Sequence, residues 1–176
     1  EIRSLREAPP DGGVLCAKFV ERWGGSTILR DHDYLHWRVF QNPWVKSVFR
    51  GAFANGELQG WVMFALGDDS MGYVVDLMVA GPEETDGSTE NLIRILLTDA
   101  TIRARDMGAV GIRAWHVTDH PFDCLVTRVA KSMGFYHLRR GASMVLYPTT
   151  RGRQHRDLDR LDNWYVTRLY TEGLLG

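Results

Sequence analysis

Apolar positions in the first part of the chain follow the spacing of a strand and then of two helices. A short strand is predicted at residues 2–5, and residues 14–23 repeat their apolar side chains at helical spacing until two glycines end the run. Asp31 is a typical helix N-cap, and the second helix that it begins is stopped by Pro43.

Three consecutive strands are predicted in the middle of the chain, at residues 47–53, 58–66 and 71–80. Asn55 and Gly56 separate the first two runs and favour a tight hairpin. The third run is apolar at most positions, which is typical of a central strand that is covered on both faces. The pattern therefore predicts three antiparallel strands in sequence.

The second half of the chain alternates between helical and strand periodicity. Ser88 or Thr89 is a predicted N-cap for the helix that follows the central strand. The predicted elements are, in order, a helix at 92–107, a strand at 110–117, a helix from Pro121 to Gly134, and strands at 135–138 and 142–146.

The end of the chain differs in composition from the rest. Residues 151–160 are polar with mixed charge, and we expect them to be solvated. Residues 163–170 form an aromatic cluster that we expect to dock on this domain or on a neighbour. The chain is therefore divided into a domain at 1–148 and a C-terminal polar segment with an aromatic tail at 149–176.

Composition and charge narrow the class of protein. The 176 residues are 44% hydrophobic and 24% charged, which suits one folded domain with a core. A net charge of −1 disfavours nucleic acid and anionic membranes as partners. No apolar run is long enough to cross a bilayer, and we expect a cytoplasmic protein. The chain starts at Glu1 rather than Met, which is consistent with the loss of an N-terminal piece.

The two cysteines do not indicate a disulfide or a metal site. Cys16 and Cys124 stand in apolar helical stretches, and we expect both to be reduced residues of the core. No group of cysteines and histidines has the spacing of metal ligands, so no metal is predicted.

The order of elements resembles that of the GNAT (N-acetyltransferase) superfamily. The order is a strand, two helices, three antiparallel strands, a helix, a strand, a helix and two strands, with Gly134 and Phe135 after the last helix. Residues 37–43 are similar to a Trp-Arg-aromatic…Pro signature of GNAT-type proteins. The resemblance covers residues 2–148 and implies an α/β (α+β) fold, with a mixed, mostly antiparallel sheet of about seven strands and about four flanking helices.

The resemblance also implies a site. In the superfamily, acetyl-CoA or another acyl-CoA binds in a V-shaped split between two parallel strands, which would be residues 71–80 and 110–117 here. Strand backbone would bind the pantetheine arm, and the N-terminus of the next helix would bind the pyrophosphate through backbone N–H groups. The cofactor-binding residues implied in this way are Met78, Val79, Ala80, Gly87, Ser88 and Thr89.

The phosphate loop departs from the superfamily pattern Arg/Gln-x-x-Gly-x-Gly/Ala. The pattern falls on residues 84–89, where Gly87 matches but Glu84 replaces the Arg or Gln and Thr89 replaces the last small residue. A carboxylate beside a pyrophosphate costs on the order of a few kcal/mol. We therefore expect weak binding of acetyl-CoA.

The usual acid and base of the superfamily are also replaced. Ala130 stands where many relatives carry a Tyr, and Tyr73 and Val75 stand where relatives often carry a Glu. Three catalytic candidates take their place: His116 as the base, Tyr73 as a proton donor or orienting group, and Asp76. Each has a structural alternative, namely a hydrogen-bonded His116, a Tyr73 in the core and a paired, buried Asp76.

Two main hypotheses of function follow from this resemblance. The first is an acetyl-CoA-dependent N-acyltransferase that acts on a small-molecule amine or an amino sugar, in line with tryptophans at the expected groove wall. The second is a catalytically silent GNAT-fold binding or structural domain of a larger tandem protein. A second GNAT-like domain or a homodimer is the expected protein partner, and a related aminoacyl- or peptidoglycan-type transferase is a third hypothesis.

Overall fold

One twisted sheet organises the part of the chain that the structure, a computed structural model, describes, namely residues 1–43, 46–80, 86–116, 119–136 and 160–170. Its strand order is β1-β2-β3-β4-β5. The first four strands are antiparallel neighbours, and β5 joins β4 in parallel. The strands are β1 (Ile2–Ser4), β2 (Val48–Ala54), β3 (Glu57–Leu66), β4 (Met71–Val79) and β5 (Gly111–Arg113).

Four α-helices flank this sheet within the described residues. They are α1 (Gly12–Trp23), α2 (His32–Leu35), α3 (Asp86–Asp106) and α4 (Pro121–Ser132). The predicted fold class, a mixed and mostly antiparallel sheet with about four helices, is confirmed. The described residues contain five strands where about seven were expected.

Several helix and turn boundaries lie where the capping and turn residues of the sequence predicted them. The carboxylate of Asp31 accepts a hydrogen bond of 2.8 Å from the Tyr34 amide, so Asp31 is the N-cap of α2. Asn55 and Gly56 adopt φ angles of 51° and 85°, as a hairpin turn between β2 and β3 requires. Pro121 occupies the start of α4.

Three predicted boundaries are wrong. Helix α3 begins at Asp86, so Ser88 and Thr89 lie in its first turn and neither is its N-cap. Strand β5 ends at Arg113 rather than at residue 117, because residues 114–116 diverge from β4. Phe135 is not in a strand, since α4 ends in a turn there.

Other predictions lie outside the described residues. These are the acidic loop with Glu84, the strand at 142–146, most of the strand at 135–138 and nearly all of the polar stretch at 151–160. Among the described residues, no helix is long and apolar enough to cross a membrane.

The register of β4 decides which residues reach each face of the sheet. Met63 of β3 pairs with Asp76, whereas the next residue, Phe64, pairs with Val74, so Val75 is the extra residue of a β-bulge. On one face, Arg50 of β2 binds Asp99 of α3 at 2.7 Å. Asp76 lies on the opposite face, which α1 and the loop before α2 cover.

Candidate functional site

A cleft opens where β4 and β5 separate. The two strands pair only from Met71 to Tyr73 on β4 and from Gly111 to Arg113 on β5. Beyond Tyr73, β4 continues to Val79 with one edge that no strand of the described sheet covers. We call the space between residues 74–77 of β4 and residues 114–115 the cleft.

The pairing with β3 determines which backbone groups face the cleft. The Ala80 amide donates to β3 at 3.2 Å, and alternate residues of an antiparallel strand point to opposite edges. Leu77 and Val79 therefore direct their backbone groups away from β3. The Leu77 carbonyl accepts a hydrogen bond from the Tyr165 hydroxyl, and the Val79 carbonyl accepts one of 3.2 Å from Trp23 Nε1.

The three strand residues assigned to the pantetheine arm thus differ in orientation. Pairing directs the backbone groups of Met78 and the amide of Ala80 toward β3, and only Val79 faces the open edge. The Ala80 carbonyl accepts a hydrogen bond of 2.8 Å from Arg22 Nη1 on α1.

Asp76 is the centre of a buried polar network. Its carboxylate accepts two hydrogen bonds of 3.0 Å from Arg30, through Nε and Nη2, and the side chains of both residues are fully buried. Trp61 Nε1 donates at 2.8 Å and Thr167 Oγ1 at 2.7 Å. Four donors around two oxygens satisfy this carboxylate, which is the arrangement of a paired, buried Asp76.

Tyr73 lies at the point where β4 and β5 separate. Its hydroxyl donates to Asp69 at 2.7 Å and accepts a hydrogen bond of 2.9 Å from Arg113. Burial raises the pKa of Tyr73, and the hydrogen bond to Asp69 acts in the same direction. Tyr73 is therefore protonated at neutral pH, and its proton is directed at Asp69.

His116 follows β5 and faces a carboxylate of α4. Its Nδ1 lies 3.3 Å from Asp123 Oδ2, and the side chain of Asp123 is only 4% exposed. The His116 side chain is 32% exposed to solvent. In the tautomer that carries its proton on Nδ1, that proton is directed at Asp123, and Nε2 is the ring nitrogen that can accept a proton.

Asp123 was missed by the sequence analysis, although a signal was present. Residue 123 stands three positions before Val126 and seven before Ala130, and both of these residues are buried. On a helix this spacing places all three side chains on the same face. An acidic residue at a position predicted to be buried is a candidate for a functional ion pair.

Of the catalytic candidates, Asp76 lines the cleft, and the C-terminal segment (residues 160–170) contacts both Asp76 and Tyr73. Asp76 and Asp123 line the same cavity in the cleft, whose volume of about 20 Å³ has room for roughly one water molecule. Thr167 binds Asp76, and the guanidinium of Arg168 lies 4.4 Å from the centre of the Tyr73 ring.

A larger cavity of about 350 Å³ lies beside the first turn of α3. Its walls come from Trp23 at the end of α1, from Thr89 of α3 and from the first turns of α4. Thr89 is fully buried, and its hydroxyl has no hydrogen-bond partner among the described residues. At the edge, Arg128 and Glu90 form an ion pair of 2.7 Å. An orphaned hydroxyl beside a cavity of this size is suited to a polar ligand.

The other two residues assigned to the pyrophosphate also lie in this first turn. Gly87 is exposed, and a Cβ built on it meets nothing within 4 Å. Ser88 is half-buried. The backbone of the turn is therefore accessible from solvent at Gly87.

The two cysteines differ in their surroundings. Cys16 is buried, as predicted, but Cys124 is exposed and lines the larger cavity, so its assignment to the core is wrong. Desolvation, together with the carboxylates of Asp119 and Asp123, raises the pKa of the Cys124 thiol. It is therefore a thiol at neutral pH and not an activated nucleophile. Within the described ranges, no three His, Cys, Asp or Glu side chains are arranged to hold a metal ion.

His120 caps α4 and also packs into the core. Its Nδ1 accepts a hydrogen bond of 3.3 Å from the Phe122 amide, and its Nε2 lies 3.2 Å from the Gly24 carbonyl. A neutral ring with the proton on Nε2 satisfies both contacts. Burial lowers the pKa of His120 from its ordinary value of 6.5.

Comparison with known proteins identifies the fold. No protein-family model matches the sequence, and no curated protein matches it. A transcriptional regulator from Bacillus halodurans C-125 has a TM-score of 0.59 at 13% identity, over 83% of this chain and 99% of the other. A ribosomal-protein-alanine N-acetyltransferase from Brucella melitensis biovar Abortus 2308 has a TM-score of 0.54 at 19% identity, over 84% and 99%. The aminoglycoside N-acetyltransferase AAC(6')-Iy in complex with CoA has a TM-score of 0.53 at 11% identity, over 85% and 99%.

The chain therefore has the fold of the GNAT N-acetyltransferase superfamily. The resemblance inferred from the order of elements is confirmed at this level. Identities of 19% or less establish the fold alone, and one fold can serve several functions.

Replacing Asp76 tests whether its carboxylate stabilises the fold. We expect Asp76→Asn to lower the free energy of unfolding by about 3–5 kcal/mol, because it leaves the buried Arg30 without its counter-charge. Urea denaturation measures the change. The control is Asp106→Asn, which breaks the exposed pair with Arg105 and should cost less than about 1 kcal/mol. Equal losses in the two variants would contradict this assignment.

His120 makes stability depend on pH. Because the pKa of His120 is lower in the folded than in the unfolded protein, the unfolded state takes up the proton first as pH falls below about 6.5. Stability therefore decreases from neutral pH toward acid. His120→Asn keeps a capping oxygen without a titrating ring, and we expect a shallower loss of unfolding free energy between about pH 7.5 and 5.5. The exposed His36→Asn should keep the wild-type slope, and an unchanged slope in His120→Asn would refute the assignment.

Proposed function

We propose that this chain is an acyl-CoA-dependent N-acyltransferase whose acceptor is a small-molecule amine or an amino sugar. The observation that carries the proposal is the separation of β4 and β5 after Tyr73, in a GNAT fold, beside a cavity at the start of α3. Parallel strands that separate leave backbone donors and acceptors without a strand partner, and an extended ligand can bind there as a strand would.

The start of α3 fits the phosphate end of an acyl-CoA. The first turn of a helix carries unpaired N–H groups and the positive end of the helix dipole. The buried Thr89 hydroxyl adds a donor without a partner in the described structure. Arg128 lies at the edge of the same cavity, but its charge is paired with Glu90 at 2.7 Å, which is a further reason to expect weak binding.

The edge of β4 fits the pantetheine arm in part. The N–H groups of Leu77 and Val79 point to the same side as their carbonyls, so they can donate to the amide oxygens of the arm. The carbonyls themselves are bound by Tyr165 and Trp23. With fewer strand contacts available to the arm, we expect weak binding.

His116 is the residue that we assign to proton removal. The acyl-CoA supplies an activated thioester, and the amine nitrogen must lose a proton as it forms the amide bond. The unprotonated Nε2 of His116 accepts that proton, and the buried Asp123 carboxylate stabilises the resulting imidazolium. The C–S bond breaks, and the thiolate takes its proton from water, because the Tyr73 proton is directed at Asp69.

Titration calorimetry with acetyl-CoA tests the cofactor assignment. We expect the wild-type protein to bind with a dissociation constant weaker than about 1 μM. Thr89→Val keeps the shape of the side chain but removes the hydroxyl, and we expect it to weaken binding several-fold. The same change should leave stability unchanged or raise it, because it removes a buried hydroxyl that has no hydrogen-bond partner among the described residues.

The exposed Thr98 on the same helix provides the matched control. Thr98→Val should leave the affinity for acetyl-CoA at its wild-type value. Equal affinities in Thr89→Val and Thr98→Val would remove Thr89 from the site. Submicromolar binding would contradict the expectation of weak affinity.

Replacing His116 tests the proposed base. We expect His116→Asn to lower kcat by about 10²–10⁴, with little change in the KM for acetyl-CoA. Release of free thiol from acetyl-CoA, assayed against a panel of amino sugars and small amines, measures turnover. His36→Asn alters an exposed histidine and should have no effect. Full activity in His116→Asn would exclude this histidine as the base.

A catalytically silent GNAT-fold domain is the second candidate. It is favoured by one observation, the cavity of only about 20 Å³ that the C-terminal segment leaves in the cleft. A silent domain would neither bind acetyl-CoA nor release thiol, even after the C-terminal segment is loosened.

A further inference from the structure

The C-terminal segment occupies the cleft that the proposed function assigns to the acyl carrier. Tyr165 lies against β4 through the hydrogen bond to the Leu77 carbonyl. Thr167 reaches Asp76, the residue directly after the bulge, at 2.7 Å. Tyr165, Thr167 and Arg168 are all buried, with exposures of 3%, 7% and 7%. These side chains cover the part of β4 that β5 leaves open.

Arg168 covers the point where the two strands separate. Its guanidinium lies 4.4 Å from the centre of the Tyr73 ring and 4.7 Å from that of Trp115. Tyr73 is on β4, and Trp115 follows β5, so the guanidinium connects the two sides of the cleft. Cation–π contacts of this kind are stabilising when they are desolvated.

The two halves of the C-terminal segment are held in different ways. Asn163 and Tyr165 form backbone hydrogen bonds of 2.6 and 3.0 Å with Ser26, and the Tyr165 ring packs against Phe19 and Phe122. By contrast, no backbone–backbone hydrogen bond joins residues 166–169 to the rest of the described structure. Residues 163–165 are therefore anchored through their backbone, whereas residues 166–169 are held by side-chain contacts.

We propose that residues 166–169 form an autoinhibitory strap, which an acyl-CoA must displace from the cleft while Tyr165 stays anchored. This inference rests on the proposed function and concerns the regulation of the same site. Displacement separates Arg168 from Tyr73 and Trp115 and opens the place where the strands diverge. Asp76 loses the hydrogen bond from Thr167 but keeps those from Arg30 and Trp61. The contacts of the strap are then replaced by contacts to the acyl-CoA. The observed affinity for acyl-CoA is therefore the affinity of the open form multiplied by the fraction of molecules that are open.

The test compares the affinities of two arginine variants for acetyl-CoA. We expect Arg168→Ala to tighten binding about tenfold, because it removes the cation–π contacts that favour the closed form. Arg105→Ala changes an arginine on the exposed side of α3 and should bind as the wild type does. Calorimetry at one pH and one salt concentration measures both.

Hydrogen–deuterium exchange of the wild-type protein gives a second readout that needs no variant. The amides of residues 166–169 are shielded by burial rather than by backbone hydrogen bonds to the rest of the described structure, so addition of acetyl-CoA should speed their exchange. The amide of Tyr165, which is bound to Ser26, should stay protected. This measurement tests whether acetyl-CoA displaces the strap even if Arg168→Ala does not fold.

The outcomes separate the strap from the proposed function. If acetyl-CoA binds equally to the wild type and Arg168→Ala, and exchange of residues 166–169 does not increase, the strap is refuted and the acyl-CoA site stands. If neither protein binds acetyl-CoA at millimolar concentration, the proposed function is refuted and the strap with it. Tighter binding by Arg168→Ala with faster exchange on binding supports both.

Discussion

The buried ion pair between Arg30 and Asp76 is the interaction on which the centre of this structure depends. A carboxylate and a guanidinium that are both removed from water are tolerated only if every remaining donor and acceptor is satisfied. Trp61 and Thr167 complete the set around Asp76. The pair joins residues that are 46 positions apart, and Thr167 adds a contact over 91 positions. The C-terminal segment is thereby coupled to β4.

This coupling explains why the cleft is not simply an open groove. Buried backbone groups need hydrogen-bond partners, and β4 loses those of β5 after Tyr73. Tyr165 and Trp23 supply partners for two carbonyls on that edge. An external ligand that uses this edge therefore competes with groups of the protein itself. The bulge at Val75 sets the register of β4 beyond it and therefore determines which backbone groups face this edge.

Local patterns were reliable where neighbouring residues determine the structure. The Asn55–Gly56 turn and the Asp31 cap depend on residues within a few positions of one another, so they were predicted correctly. The start of α3 and the end of β5 were not. A helix can extend past a good capping residue, and a strand ends where its partner turns away, which apolar periodicity does not record.

The sequence by itself determined the order of elements through α4 and the antiparallel centre of the sheet, because both follow from short-range periodicity and turn chemistry, and that order resembles the one of the GNAT superfamily. It also drew attention to His116, Tyr73 and Asp76. Only the tertiary structure decided that Arg30 neutralises Asp76, that Asp123 faces His116 and that residues 165–168 fill the cleft. These contacts join residues far apart in the chain, and long-range pairing of charges leaves no periodic trace in a single sequence.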